Sequence, residues 1–490
     1  MSYGLLFRTI RHLKPTQVFY QVKYRLVKSA FRIYDSSSLS HFSGFKVEPI
    51  VKYTCLKGNE FSFLNLEHEF AGWNFTENGM LWAYNQNYFD WINQEGVSEE
   101  EGCKWIDKFI AELPQNRVGL DPYPIALRSI NWVKFFCRFP DTATKKRLDS
   151  LYSQIKLLEK KLEYHLLGNH LLEDAYALYV GGSFFNDKKL LKKAKKLLLS
   201  QLEEQVLKDG AHYEQSPMYH CILLDRLLDC INIEREDGRK LTESYAIRML
   251  GHLESITWAN GDIPMLNDSA NGIAPTSQQI FDYARRLGLQ WNPIPMKESG
   301  YKKMISGSME AVIDVGNITA TYQPGHTHAD TFNYELRIDG RPFVIDTGIS
   351  TYNKTERRQL ERSTVAHNCF SPNGMNSSEV WGGFRVGRRC HTDITEDMEN
   401  MVVARHDGFG LPCKRRVEMT KEVFVVEDFY DGEAISYIHL AEGADENRVK
   451  VEGATSVEAK PWKYSKEYNR FIDGKVLEIK FEGHCKYTIQ

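Results

Sequence analysis

Two histidines separated by a single residue stand in the segment PGHTHAD, residues 324–330. On an extended chain, alternate side chains point the same way, so His326 and His328 can face one site. Asp346 ends the next predicted strand, and His367 follows in the segment STVAHN. Two or three imidazoles with a carboxylate are a usual zinc ligand set. The alternative is a group of polar residues at the rim of a sheet, and the spacing leaves both interpretations open.

Two further polar clusters lie where the apolar residues have helical spacing. In GNHLLED (168–174), a glycine followed by Asn169 predicts a helix start with the asparagine as cap. In DGAHYEQSPMYH (209–220), a loop runs into a helix that Ser216 caps and a proline begins. Tyr219 then falls in the first helical turn, where side chains often meet ligands. A purely structural role is the alternative for each cluster.

The secondary structure that must position these clusters is predicted to change from helices to strands near residue 292. Before it, apolar residues recur at spacings of three and four, which predicts stacked helical hairpins, as in a superhelix or an α/α toroid. After it, short alternating runs predict an antiparallel β-sandwich. Asp339-Gly340 between two such runs is a two-residue hairpin signal. The predicted domains are a basic arm over 1–50, an α/α toroid over 51–298 and a β-sandwich over 299–490.

Composition narrows the class of protein. The chain has 490 residues, 42% of them hydrophobic and 26% charged, which is typical of a soluble globular protein with two domains. Its formal net charge of −3 gives no global field for nucleic acid, and no nucleic-acid-binding motif is present. The nine cysteines are scattered without a C-x-x-C pair, so reduced thiols are expected rather than a disulfide framework.

The first 34 residues form a basic, partly apolar arm. They contain no acidic residue, and their seven basic residues are Arg8, Arg11, Lys14, Lys23, Arg25, Lys28 and Arg32. Such a segment can make peripheral contact with an anionic membrane surface. The alternative is an arm that packs on its own domain. Since neither a secretory signal nor a long apolar run is seen, we expect a cytoplasmic location or one peripheral to the inner membrane, with the periplasm left open.

Taken together, the clusters resemble the heparinase II/III-like polysaccharide lyases, a family that includes alginate lyases. The resemblance covers nearly the whole chain. It implies an α/α toroid followed by an antiparallel β-sandwich. The segments that carry it are WAYN (82–85), RSINW (128–132), NH (169–170) with Glu173, DG through SPMYH (209–220), HTHAD (326–330), DTG (346–348) and STVAHN (363–368).

The resemblance also implies roles for single residues. A uronate C5 proton is weakly acidic, so the enzyme must neutralise the carboxylate, remove the proton and protonate the leaving oxygen. The implied catalytic residues are Asn169 and His170 for the carboxylate, Tyr219 as general acid and often base, and His326 as proton acceptor. The implied ligands of a structural zinc are His328, Asp346 and His367. The candidate substrate-binding residues are Glu173, Tyr213, Glu214, Arg358, Arg362, Trp381 and Arg385.

The expected function is cleavage of a uronic-acid-containing glycan by β-elimination, linked to bacterial surface polysaccharide metabolism. A uronyl C5-epimerase of the same fold is one alternative, because the same proton abstraction can end in reprotonation from the other face. A non-catalytic carbohydrate-binding or assembly protein is the other, disfavoured by the presence of Tyr219 and of the Asn169-His170 pair. Hydrolysis by paired carboxylates is also disfavoured, since no such pair stands out. Uronate identity, sulfation, endo or exo action and oligomeric state stay open.

Overall fold

The structure, a computed structural model, describes residues 3–39, 44–51, 55–234 and 239–490. Helices dominate its first part. No helix in these ranges is long and apolar enough to cross a membrane. The helices are α1 (Tyr3–Ile10), α2 (Pro15–Leu26), α3 (Met80–Tyr88), α4 (Glu99–Glu112), α5 (Pro122–Arg138), α6 (Lys145–Leu158), α7 (Gly168–Phe184), α8 (Lys188–Gln205), α9 (Pro217–Ile233), α10 (Arg239–Ile256), α11 (Ser277–Arg286) and α12 (Glu356–Glu361).

Strands dominate the second part. They are β4 (Tyr301–Ser306), β5 (Met309–Asp314), β6 (Tyr334–Ile338), β7 (Arg341–Val344), β8 (Phe370–Ser371), β9 (Val380–Trp381), β10 (Arg385–Val386), β11 (Thr392–Met398), β12 (Met401–His406), β13 (Cys413–Met419), β14 (Phe424–Leu440), β15 (Val449–Glu467) and β16 (Arg470–Ile489). A small antiparallel sheet lies between α2 and α3 in the chain, formed by β1 (Cys55–Lys57), β2 (Glu60–Phe63) and β3 (Leu66–Glu69).

The predicted order of a helical region and then an antiparallel β region is confirmed. Within the described residues, the β region is an 11-stranded sheet with the order β11-β12-β13-β14-β7-β6-β5-β4. Strand β16 pairs with both β14 and β15, and β8 pairs with β14. The long strands β14 and β16 alternate between a buried and a more exposed face over much of their length, as a sheet with one covered face requires. The predicted domain boundaries themselves stay predictions.

Two kinds of helix build the helical region. Almost every residue of α5, α7 and α9 is buried, and α7 packs between α5, α8 and α9. By contrast α8, with the sequence KKLLKKAKKLLLSQLEEQ, buries one stripe and turns its lysines outward. A helix that is apolar all round belongs in an interior and an amphipathic one on a surface. The region therefore has an inner and an outer layer, and the starts of α7 and α9 lie at the end that faces the sheet.

The β6–β7 hairpin sets the position of the histidine loop. Asp339 and Gly340 both have positive φ, 52° and 73°, as an Asp-Gly hairpin turn requires. The side-chain amide of Asn333 donates to Asp346 Oδ2 at 2.5 Å, so these positions lie together across the hairpin. The loop before β6 then folds back, and the backbone N–H of His328 donates to Asn267 Oδ1 at 2.9 Å.

A buried ion pair fixes the sheet to the loops behind the histidines. Arg415 on β13 donates two hydrogen bonds to Asp428 on β14, at 2.6 and 2.8 Å. Its guanidinium also donates to the carbonyl oxygens of Phe332 and Asn368, at 2.8 and 2.5 Å. Both charged side chains are almost fully excluded from solvent. Removing one partner leaves the other charge buried without compensation.

We expect Asp428→Asn to lower the free energy of unfolding by about 3–5 kcal/mol, because a buried guanidinium loses its counter-ion. Urea denaturation followed by circular dichroism measures the loss. The neighbouring Arg416 pairs with Glu427 in a partly exposed position. The matched control Glu427→Gln should therefore cost no more than about 1 kcal/mol. Equal losses in the two variants would contradict the prediction.

Candidate active site

A cleft of about 440 Å³ lies between the helical region and the sheet. Residues of both regions line it. The lining includes the four predicted catalytic residues, Asn169, His170, Tyr219 and His326. These positions are up to 157 residues apart in the chain, so the fold and not local sequence brings them together.

The start of α7 is held in an unusual backbone conformation. Leu167 and Gly168 have φ values of 63° and 60°. A Cβ atom on Gly168 would lie 2.4 Å from Glu214 Oε1, so only glycine fits this position. Asn169 is not the predicted cap, because the helix already begins at Gly168. Its backbone N–H and side-chain amide instead donate to the two carboxylate oxygens of Glu214, at 2.8 and 2.9 Å.

His170 is the second cleft residue on α7. Its Nδ1 lies 3.1 Å from Glu163 Oε2, and its ring contacts Tyr123 at 4.8 Å between centroids. Burial works against the charged imidazole, but the Glu163 carboxylate outweighs it and raises the pKa of His170. A raised pKa favours the cationic form near neutral pH. His170 is therefore suited to a negatively charged ligand in the cleft.

Tyr219 lies in the first turn of α9, as predicted. Ser216 caps this helix by accepting the backbone N–H of Tyr219, and Pro217 is its first residue. The phenol ring lies against the imidazole of His326, with centroids 3.9 Å apart and planes inclined by 31°. The Tyr352 hydroxyl donates to the Tyr219 hydroxyl at 3.4 Å. Burial raises the pKa of Tyr219, so its hydroxyl is protonated at neutral pH and can act as an acid.

His326 is oriented by a buried carboxylate. Its Nδ1–H donates to Asp268 Oδ2 at 2.9 Å. The opposite nitrogen, Nε2, lies 3.3 Å from the Asn169 amide and 3.4 Å from Glu214 Oε2. A proton held at Nδ1 leaves the lone pair on Nε2, so the ring is in the tautomer that can accept a proton there.

Asp268 connects the site to the loops behind it. Arg358 donates to both of its carboxylate oxygens, at 2.5 and 2.7 Å, and His328 Nε2–H donates to Oδ1 at 2.8 Å. Burial alone would raise the pKa of Asp268, but the Arg358 guanidinium and the hydrogen bonds from His326 and His328 hold it well below its usual range. Asp268 therefore stays ionised and keeps His326 oriented.

Several predicted substrate-binding residues lie behind the cleft or away from it. Arg358 is fully buried against Asp268, and Arg362 donates to the carbonyl of Thr327 at 2.7 Å. The Tyr213 hydroxyl lies 2.9 Å from that of Tyr322. The Arg385 guanidinium packs on the Trp381 ring, and the Trp381 indole N–H donates to Thr9 on α1 at 3.1 Å. In the described structure these residues support the site's loops and do not line the cleft.

Glu173 also lies behind the cleft. It is fully buried, and among the described residues neither of its carboxylate oxygens has a hydrogen-bond partner. Burial raises its pKa from an ordinary value of 4.5 to about 7, against the opposing effect of Arg226. Arg226, which lines the cleft, pairs with Asp225 and Asp229 at 3.1 and 3.3 Å. Glu173 is therefore not among the residues that line the cleft, and its carboxylate adds only a small part of the rise in the pKa of His170, most of which comes from Glu163.

The three predicted zinc ligands adjoin one another only in part. The rings of His328 and His367 lie 5.2 Å apart, and neither His328 Nδ1 nor His367 Nε2 has a hydrogen-bond partner among the described residues. Asp346 Oδ2 accepts from His367 Nδ1–H at 2.9 Å and from Asn333. Within the described residues, no three His, Cys, Asp or Glu side chains are arranged to hold a metal ion. Two donors fit zinc, a third is not in place, and the zinc site stays a prediction.

Sequence reasoning missed Asp268 and Tyr352. Asp268 lies in the segment LNDSA and Tyr352 in the segment STYN. Neither segment has the apolar periodicity of a helix or strand, or a spacing of polar residues that would indicate a site. Tyr352 contacts both Tyr219 and His326, at 3.4 and 3.5 Å. The buried pairing of Asp268 with two histidines and an arginine arises from the tertiary fold and leaves no pattern in the local sequence.

Comparison with known proteins places both halves of this site in one family. A profile described as "Heparinase II/III N-terminus" matches residues 128–286, and one described as "Heparinase II/III-like, C-terminal" matches residues 289–471. A heparin-sulfate lyase of Pedobacter heparinus is 26% identical over 336 residues, 60% of this chain and 48% of that protein. The chain thus spans about half the length of the curated relatives it matches.

Solved structures share the fold. A crystal structure of heparinase III has a TM-score of 0.64 at 14% identity and covers 99% of this chain and 91% of its own. Chondroitin AC lyase of Streptomyces coelicolor A3, in complex with chondroitin sulphate, has a TM-score of 0.52 at 10% identity, over 84% of this chain and 74% of that one. The helical region followed by an antiparallel sheet is therefore an architecture that these proteins have in common.

Elemental analysis of the purified protein tests the zinc prediction. We expect about one zinc per chain, because two buried imidazole nitrogens lack partners. Burial lowers the pKa of His328 to about 3, which keeps it in the neutral form that binds metal. His328→Ala should lose the metal, and His391→Ala, at an exposed histidine, should keep it. A metal-free protein with the same melting temperature before and after chelation would contradict a structural zinc.

The raised pKa of Glu173 predicts a pH-dependent stability. Unfolded Glu173 ionises near 4.5 and folded Glu173 near 7, so its burial costs stability as pH rises through this window. Between about pH 5 and pH 8, Glu173→Gln should gain roughly 2–3 kcal/mol relative to the unchanged protein. Urea denaturation of both proteins at the two pH values measures this difference. A difference independent of pH would show that Glu173 does not titrate in this way.

Proposed function

This chain belongs to the heparinase II/III-like family, and we propose that it is a polysaccharide lyase that cleaves a uronic-acid-containing glycan by β-elimination. The observation that carries the proposal is the convergence of Tyr219, His326 and Asn169 on one cleft between the two regions. These side chains supply an acid, a base and a hydrogen-bond donor, the three groups that the reaction needs.

The proposed substrate is a polymer of the glycosaminoglycan class. Relatives of this chain are named heparin-sulfate lyases, and a chondroitin AC lyase shares its fold. All of these names refer to polymers that contain uronate. The cleft is lined by tyrosines that suit sugar rings, among them Tyr84, Tyr88, Tyr123 and Tyr468.

The first proposed step is neutralisation of the uronate carboxylate. Asn169 lies in the first turn of α7, where the helix dipole favours an anion, and its side-chain amide faces the cleft. His170, with its raised pKa, adds positive charge to the same end of the cleft. Withdrawal of charge from the carboxylate makes the neighbouring C5–H bond more acidic and stabilises the enolate-like transition state.

The second proposed step is transfer of the C5 proton to Nε2 of His326. The ionised Asp268 on the Nδ1 side stabilises the imidazolium that forms. The electron pair of the C5–H bond then becomes the C4–C5 double bond as the C4–O bond breaks. Tyr219 donates its hydroxyl proton to the departing oxygen, which leaves as a free hydroxyl at the new chain end.

The experiment is a screen of uronate polymers in deuterated buffer. A lyase gives an unsaturated uronate whose ultraviolet absorbance rises with time. Incorporation of deuterium at C5 without absorbance would mean that the proton returns to the other face, and would replace the proposal by an epimerase. A panel of glycosaminoglycans and bacterial uronate polymers that gives neither signal would count against both reactions.

On a polymer that the protein cleaves, we expect Tyr219→Phe to lower kcat by about 10²–10⁴-fold, because only the acidic hydroxyl is removed. The matched control is Tyr176→Phe on α7, whose buried hydroxyl has no hydrogen-bond partner among the described residues. This control should keep both activity and melting temperature. Near-normal turnover in Tyr219→Phe would overturn the role of this hydroxyl as the acid.

A further inference from the structure

The N-terminal helices turn their apolar residues outward. In α2, Val18, Phe19, Val22 and Leu26 form one stripe, and 61% of Phe19 and 79% of Leu26 are exposed. In α1, apolar residues four and three positions apart, Tyr3, Phe7 and Ile10, are likewise exposed. Contiguous exposed apolar surface of this kind marks an interaction site.

The opposite faces of the helices hold them to the protein through polar contacts. On α2, the Gln17 side chain donates to the carbonyls of Leu166 and Tyr322, at 3.1 and 3.3 Å. The Tyr24 hydroxyl donates to the carbonyl of Leu162 at 2.6 Å. A surface helix normally buries its apolar stripe and exposes its polar one. Here the inner face makes these hydrogen bonds and stacks Tyr20 on Tyr164, with centroids 4.7 Å apart, and the outward apolar stripe does not serve to attach the helix.

Helix α1 is attached in the same way. Arg8 pairs with Glu379 at 2.5 Å, and Thr9 accepts a hydrogen bond from the Trp381 indole. Lys14, between the helices, pairs with Glu204. These contacts tie the arm to both the helical region and the sheet, so α1 and α2 form a fixed part of the surface.

Positive charge surrounds the apolar stripes. The first 34 residues contain no carboxylate side chain. Two of their basic residues are used in the ion pairs above. The other five are exposed, and they are Arg11, Lys23, Arg25, Lys28 and Arg32. Apolar side chains with basic neighbours match a surface that is anionic outside and hydrocarbon beneath.

We propose that α1, α2 and the exposed chain up to residue 33 form a docking surface for an anionic lipid bilayer. The apolar side chains enter the boundary between head groups and acyl chains, and the basic ones pair with lipid phosphates. A second protein copy would need complementary acidic groups facing this arm, whereas a bilayer supplies both chemistries at once. The docking surface is independent of the reaction proposed for the cleft.

Vesicle sedimentation with the full chain tests this surface. The protein should sediment with vesicles that contain about one-third phosphatidylglycerol and stay in solution with pure phosphatidylcholine. The combined variant Val18→Ser/Phe19→Ser/Leu26→Ser should lose at least about tenfold in partition coefficient, because the inserted apolar groups are gone. The matched control Ile305→Ser/Val457→Ser, at exposed apolar residues of β4 and β15, should partition as the unchanged protein does.

A second variant separates the charge contribution. Arg25→Gln/Lys28→Gln should weaken binding by about fivefold for each residue, and added salt should weaken the unchanged protein in the same direction. Equal sedimentation with both vesicle types would overturn the requirement for anionic lipid. Failure to bind either vesicle, or self-association without vesicles that the serine variant abolishes, would overturn the membrane surface altogether. Melting temperatures of the variants should match the unchanged protein, since all the substituted side chains are exposed.

Discussion

A single buried carboxylate, Asp268, accepts hydrogen bonds from an arginine and from two histidines of one loop. Buried charges are stable only when they are paired and hydrogen-bonded, and each partner here satisfies the others. The guanidinium keeps the carboxylate ionised, and the ionised carboxylate fixes which nitrogen of His326 carries the proton. The orientation of the cleft histidine and the course of the histidine loop therefore rest on one electrostatic arrangement.

Backbone strain is concentrated around the same junction. Leu167, Gln215, Asn267 and Phe332 all have positive φ, a costly conformation for residues other than glycine. Such strain persists only where surrounding contacts determine it. Gln215 shows how, since its side chain donates to the carbonyls of Ser299 and Asn317, at 2.8 and 2.9 Å. The strained residues flank the start of α7, the start of α9 and the histidine loop, where side chains of the cleft must be aimed.

Much of the architecture could be predicted from the sequence, because helices, strands and hairpins depend on local periodicity and turn chemistry. Ser216 and the proline after it predict the start of α9, and Asp339-Gly340 predicts the turn of the β6–β7 hairpin. Residues 144–166 keep the apolar spacing of a helix, yet α6 ends at Leu158, and no Gly or Pro in that run signals the break. Site residues could be predicted from the sequence where polar and aromatic residue types cluster, as with Tyr219 and His326. Their partners, such as Asp268, could not be predicted, because burial and long-range pairing leave no pattern in the local sequence.

The cleft has one wall from the helical region and the other from the sheet. Asn169 and Tyr219 stand on the first, His326 and Tyr352 on the second. Specific contacts between the two regions align the walls, such as Asn267 with the backbone of His328 and Gln215 with Ser299. A displacement of one wall by a fraction of a hydrogen-bond length separates the proposed acid, Tyr219, from the proposed base, His326. The proposed reaction thus depends on the relative position of the two regions as much as on the side chains that each of them supplies.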